Sequence, residues 1–174
     1  MTEQSTESRE IHWDCHTLFM GLDWAREHHD VVVLNRKGTI VLDLQIEHSS
    51  EGWHRLREKL VRLVGENSSY IAATIETNCG PAVERLLEMG CMVYPLNPKA
   101  AQRYRDRKAP SGGKTDYLDA LSFADALRTD GHGWRRLKPE DPKIIELRLI
   151  CRDEISLIEQ RTAFTNQLQQ ALKK

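Results

Sequence analysis

Three strand-length apolar segments follow one another near the N-terminus, with too few residues between them for a helix. They are TLFMGLD (Thr17 to Asp23), HDVVVLN (His29 to Asn35) and TIVLDLQI (Thr39 to Ile46). A short turn separates the first two, and Arg36-Lys37-Gly38 reads as a hairpin turn before the third, which alternates with period two. Connections this short suit antiparallel strands, because parallel neighbours need a long crossover. After them the chain changes habit. SSEGWHRLREKLVRLVG has a serine cap, then Trp53, Leu56, Leu60, Leu63 and Val64 at helical spacing, then a closing glycine. YIAATIE (Tyr70 to Glu76) reads as a buried strand, and GPAVERLLEMG as a helix with proline in its first turn. CMVYPLNP reads as a fifth strand stopped by Pro98, followed by a short basic helix, KAAQRYRDR, and a longer one, TDYLDALSFADALRTDG. This order predicts an α/β fold. Its five-stranded mixed sheet is an antiparallel meander followed by parallel strands, flanked by helices.

The length of 174 residues suits one domain with an appended element. Residues 1–16 read as a flexible polar tail, 17–132 as the folded domain and 133–174 as a helical extension. From Asp141 onward there is no glycine and one proline, Pro142, while Ile144, Leu147, Cys151, Ile155, Ile158 and Thr162 recur near a 3-4 spacing. That pattern predicts a long amphipathic or coiled-coil helix and, through it, a homo-oligomer. The helix meets no stop signal, so the chain reads as part of something longer, with a further C-terminal domain expected. No apolar run approaches the ~20 residues of a membrane span, and the polar, acidic N-terminus is unlike a signal peptide. Cys15, Cys79, Cys91 and Cys151 are scattered and form no C-x-x-C pair. Reduced thiols in a cytoplasmic protein are expected, with no membrane partner.

Two features carry chemistry. Between Lys99 and Lys114 stand six basic residues (Lys99, Arg103, Arg105, Arg107, Lys108, Lys114) against one acid, Asp106. Such a block suits a phosphate backbone, and a solvated basic surface is the plainer reading. Directly after it, KTDYLDA places Asp116 and Asp119 three residues apart, on one face of a helix. Alone, the pair reads as a helix start with Asp116 as its N-cap. Asp23 ends the first strand and Glu76 the fourth, where an acid after an apolar run needs solvent, a partner or a metal. If those strands are neighbours, all four acids converge. Four carboxylates so close need a cation, since like charges raise one another's pKa. Oxygen ligands select hard ions, so Mg²⁺ or Mn²⁺ fits. Two such ions ~3.5–4 Å apart can clamp the attacking and leaving oxygens of an in-line phosphoryl displacement.

The order of GLDWAREHHDVVVLN, IETNCG, GCMVYPLNPKAAQRYRDR and KTDYLDALSFADALR resembles the DEDD-type insertion-sequence transposases. That group includes the pilin-gene-inverting and bridge-RNA-guided recombinases. The resemblance runs from about Leu18 to Arg128. It implies a RuvC-like, ribonuclease-H-type fold, with the DEDD set falling on Asp23, Glu76, Asp116 and Asp119 as catalytic metal ligands. By the same resemblance Lys114 and Thr115 belong to the last motif, and Lys114 is expected to contact a phosphate. DNA is the implied partner, with a guide RNA left open, and the implied activity is metal-dependent cleavage and strand transfer. Trp24 and Arg26 stand where the family commonly has a small residue and a lysine. Family members also carry a second domain with a nucleophilic serine.

Other residues have plainer readings. Trp24 and Trp134 suit packing better than base stacking, while Tyr104, among arginines, suits either packing or nucleic acid. His28 and His29 read as surface or supporting residues. His12, Asp14, Cys15 and His16 could catch a metal ion, but nothing downstream completes a ligand pattern. SGGK lacks the spacing of a phosphate loop. A non-catalytic nucleic-acid-binding module and a standalone nuclease remain the alternative functions. An actin-like phosphotransferase lacks its second phosphate loop.

Overall fold

In the computed structural model, which describes residues 12–108, 115–138 and 141–172, the expected segments form one mixed sheet. Strands β1 (Leu18–Trp24), β2 (His28–Asn35) and β3 (Ile40–Glu47) are the antiparallel meander. Strands β4 (Ile71–Ile75) and β5 (Met92–Pro95) extend it in parallel from β1, giving the order β3-β2-β1-β4-β5. Helices α1 (Ser50–Val64) and α2 (Pro81–Glu88) supply the crossovers, and α3 (Pro98–Lys108) and α4 (Asp116–Asp130) follow β5. This is the architecture expected of a ribonuclease-H-type domain. Pro98 does not stop β5, which already ends at Pro95. It occupies the first position of α3, where its fixed φ suits a helix start and its missing N–H costs nothing.

The two sheet faces divide by residue parity. Leu18, Met20 and Leu22 of β1 pack with Val31 and Val33 of β2 and Ile71, Ala73 and Ile75 of β4, beneath Trp53, Leu56 and Leu60 of α1 and Val83 and Leu86 of α2. Leu63, expected on that apolar stripe, is 41% exposed, whereas its neighbour Val64 packs against the core. On the opposite face Phe19 and Ala72 meet Leu127, while Val32 and Leu34 meet Ala120 and Ala124. Phe123 packs with Leu96 and Ala101, so α4 is covered on several sides at once. Asp119, Ala120 and every residue from Ser122 to Leu127 are buried.

Residues 1–11 lie outside the described residues, but the expected tail does not extend to residue 16. Trp13–Cys15 form a 3₁₀ turn, and the Trp13 ring lies against Phe19 and Tyr94 at centroid distances of 5.6 and 5.3 Å. His16 is buried, with Nε2 2.9 Å from the Tyr94 hydroxyl and Nδ1 3.2 Å from the Ser69 carbonyl. Both ring nitrogens are thus engaged in packing interactions, which removes His16 from any metal cluster. The first compact unit runs to Leu137, past the expected boundary at 132, and the Leu137 N–H donates to Val93 O at 2.8 Å. The second unit contains α5 (Pro142–Leu172), a single long helix as its spacing predicts, with Ile144, Leu147, Ile150, Ile158 and Leu168 exposed. Among the described residues, no helix is long and apolar enough to cross a membrane. All four cysteines are free; burial pushes the Cys91 thiol up to about 12.

His29 lies on the α1 side of β2 and is buried against Trp53, at a centroid distance of 5.2 Å. The Ala25 N–H donates to its Nδ1 at 3.3 Å, so the ring proton sits on Nε2 and is directed at His48 Nδ1, 2.9 Å away. Burial, then the neighbouring His48, lowers the His29 pKa from 6.5 to about 4. The unfolded chain therefore takes up this proton more readily than the native one. The stability contributed by neutral His29 is complete above pH 6.5 and is lost as pH falls through about 4. Thermal melts across this range should decline more steeply for the parent protein than for His29→Gln. Parallel curves would remove His29 as the source.

Candidate functional site

Parity also aims the acids. Asp23 follows Phe19 and Gly21 on the α4 side of β1, and Glu76 follows Ala72 and Thr74 on the same side of β4. The two strands are parallel neighbours in register through Leu22 and Ile75, so Asp23 and Glu76 leave the sheet at adjacent positions. Gly21 brings the helix down onto them. A Cβ at this glycine would lie 2.0 Å from Ala120 O and 2.5 Å from Ala124 N, so the α4 backbone rests directly on β1. Asp119, the residue before Ala120, is thereby set beside the strand ends and is only 4% exposed. Burial, followed by the charges of Asp119, Asp116 and Glu76, pushes the Asp23 carboxyl up to about 7, with Arg105 partly offsetting them.

The helix start is built differently from the sequence expectation. Thr115, not Asp116, is the N-cap: it is extended (φ -140°, ψ 145°), and its Oγ1 accepts the Leu118 N–H at 3.2 Å. Asp116 is the first helical residue, and its side chain is exposed. With the cap supplied by threonine, neither aspartate is needed to satisfy the backbone at this helix end. Acids in the first turn also interact favourably with the helix dipole.

The basic block divides. Arg105 turns inward, with Nη1 2.9 Å from Glu76 Oε2 and 3.5 Å from Asp119 Oδ2. Lys108 is engaged by the buried Asp125 at 2.6 Å, which also binds Arg128 at 2.6 Å. Despite its burial, these two cations hold the Asp125 carboxyl below its usual pKa. The Tyr104 hydroxyl donates to Asp130 at 2.9 Å, and its ring lies 6.0 Å from Trp134, so both aromatics pack within the domain. Lys99, Arg103 and Arg107 are exposed along α3. Lys114 and the SGGK segment lie outside the described residues. Trp24, 43% exposed, sits near His29 and His48, and His28 is exposed.

Sequence reasoning missed the inward turn of Arg105, for which the sequence offers no signal, and the burial of Asp125. The Asp125–Arg128 spacing of three residues was the legible clue to the latter. It also passed over Asp30, which faces Asp23 across the β1–β2 pair and takes the Gln45 amide at 3.3 Å. Among the described residues, no three His, Cys, Asp or Glu side chains form a ready-made metal cage. The donor set still fits a hard divalent ion, being all carboxylate, and the charges of Asp119, Asp116 and Glu76 add to burial in raising the Asp23 pKa.

A family model for IS110-type DEDD transposases matches residues 20–174. The chain belongs to this family. Among its relatives, the "Mini-circle putative transposase for IS117" of Streptomyces coelicolor is 33% identical over 92% of this chain and 39% of its own length. The "Putative transposase y4uE" of Sinorhizobium fredii is 36% identical over 88% of this chain and 43% of its own length. The chain thus spans about two fifths of the length of these IS110-type relatives. Among solved structures, Thermus thermophilus RuvC in complex with a Holliday junction substrate covers 70% of this chain, at 16% identity and a TM-score of 0.48. All four acids of the expected DEDD set lie within the span matched by the family model.

Proposed function

We propose that the first unit is the metal-dependent phosphodiester-cleaving domain of a DNA transposase or site-specific recombinase. Asp23, Glu76, Asp116 and Asp119 would hold Mg²⁺ or Mn²⁺, as a pair of ions. One observation supports this reading: at the ends of two parallel strands and the first turn of α4, burial and then the charges of Asp119, Asp116 and Glu76 push Asp23 to about 7. A bound pair of hard cations would stabilise the charge developing on the attacking and leaving oxygens of a scissile phosphate. The protein's own part is positioning. The β1–α4 contact at Gly21 sets the acids, and Thr115 frees both aspartates from capping. Strand transfer, a guide RNA and self-association through α5 belong to the same proposal for the longer protein.

Calorimetric titration of the 174-residue chain with MnCl₂ tests it. Asp116→Ala and Asp119→Ala should each weaken binding by about tenfold or more, the scale of losing one charged ligand. Unchanged binding in both would sink the reading. The exposed side of α3 is the proposed track for the nucleic-acid backbone. Replacing Lys99, Arg103 and Arg107 by glutamine should weaken DNA binding in a sequence-independent way. The slope of log K against log salt should become shallower by about 0.9 for each phosphate that is no longer neutralised. An unchanged slope would move the nucleic acid off this helix.

A further inference from the structure

The same Arg105 nitrogen that reaches Glu76 Oε2 on the sheet reaches Asp119 Oδ2 on α4. Its side chain is only 19% exposed, and its partners are 26% and 6% exposed, so this ion pair is largely shielded from solvent. The guanidinium is supported from elsewhere as well. Gln102 Oε1 accepts from Nη2 at 3.3 Å, and the Phe123 ring lies beneath Cζ at 5.6 Å from its centroid. Gln102 stands one helical turn before Arg105 on α3, and Phe123 one turn after Asp119 on α4. The seat is thus built from two helices and a strand end, unlike a lone surface arginine.

We propose that Arg105 is an internal counter-ion of the acidic site, bridging Glu76 and Asp119 until a divalent ion displaces it. This rests on the metal-site reading above and adds a competition to it. A hard cation such as Mg²⁺ binds carboxylate oxygen at ~2.0–2.1 Å, and its two charges repel a guanidinium at hydrogen-bond distance from the same oxygens. Both cations therefore cannot hold Glu76 and Asp119 in this way together. The bridging state reduces the apparent metal affinity to the intrinsic affinity multiplied by the fraction of molecules in which the acids are free of Arg105. Its release leaves a planar, five-donor cation beside the site, suited to a phosphate oxygen. Nucleic-acid binding and metal binding then favour the same open state, so each strengthens the other.

The test is MnCl₂ titration of the full chain, by calorimetry and by the free-Mn²⁺ paramagnetic resonance signal. Arg105→Gln should bind Mn²⁺ about tenfold more tightly than the parent, and Gln102→Ala, which only loosens the seat, about twofold more tightly. A thermal melt of each variant establishes that it is folded. In the parent, diamagnetic Mg²⁺ should shift the Arg105 Nε–Hε resonance, assigned by its loss in Arg105→Gln. Unchanged or weaker Mn²⁺ binding in Arg105→Gln, while Asp119→Ala still loses it, overturns the counter-ion and leaves the metal site standing. If no protein in the series binds Mn²⁺, both readings fall.

Discussion

On the proposed metal-site reading, Asp119→Asn should reduce divalent-metal-dependent DNA cleavage by about 10³-fold or more, while leaving the fold intact. The substitution keeps the volume of the side chain and an oxygen that can accept from Arg105, which lies 3.5 Å away. What it removes is a negative charge at the most buried of the four acids. Metal stabilisation of a phosphoryl transition state is worth several kcal/mol, and each 1.4 kcal/mol is a tenfold change in rate, so losing about 4 kcal/mol gives this factor. Nicking of supercoiled plasmid in Mg²⁺ is the measurement, with circular dichroism as the check on folding. A variant retaining a tenth of the parental rate would exclude Asp119 as a ligand that matters to the chemistry.

Gly21→Ala should destabilise the domain strongly. The new Cβ would lie 2.0 Å from Ala120 O and 2.5 Å from Ala124 N, and both are backbone atoms that no rotamer change can move. Relief requires α4 to lift from β1, which exposes apolar surface around Val32, Leu34 and Phe19. Overpacking of this kind costs about 3 kcal/mol at the upper end of its usual range, or roughly 10 °C in Tm for a domain of this size. Because the same contact places Asp119 over the strand ends, Mn²⁺ affinity should fall with Tm. A melt indistinguishable from the parent would show that α4 is not seated on Gly21.

The two variants separate what holds the site together from what it does. Asp119→Asn should lose metal and cleavage with little change in Tm. Gly21→Ala should lose Tm first, and metal affinity through it. The His29 pair lies on the other face of β2, toward α1, so its effect on stability should be independent of both.

Much of this domain is written locally. The apolar runs of β1 and β2, the period-two alternation of β3, the serine and glycine bounding α1, and the proline opening α2 specify elements from residues a few positions apart. Asp23 and Glu76 stood out for the same reason, as acids closing apolar strands. The three-residue spacing of Asp116 and Asp119 was legible as well, the family resemblance assigned all four acids to one set, and the family match covers the same residues. Element boundaries were less legible where two residues competed for one role. Thr115 and Asp116 are both good caps, and which one takes the N-cap depends on where the chain enters the helix.

Only the tertiary structure decided the rest, because it depends on elements distant in sequence meeting. The sequence presents Arg103, Arg105, Arg107 and Lys108 as one basic block. Folding turns Arg105 toward Glu76, 29 residues earlier, and Asp119, 14 residues later. Lys108 is drawn to Asp125, while Arg103 and Arg107 stay exposed. Likewise α4 reads in sequence simply as a helix, yet it is covered on several sides because Phe123 meets Leu96 and Ala101 of the β5–α3 region. Periodicity tells which side of a helix is apolar. What lies against the other side, and so which charges become partners, is settled by packing.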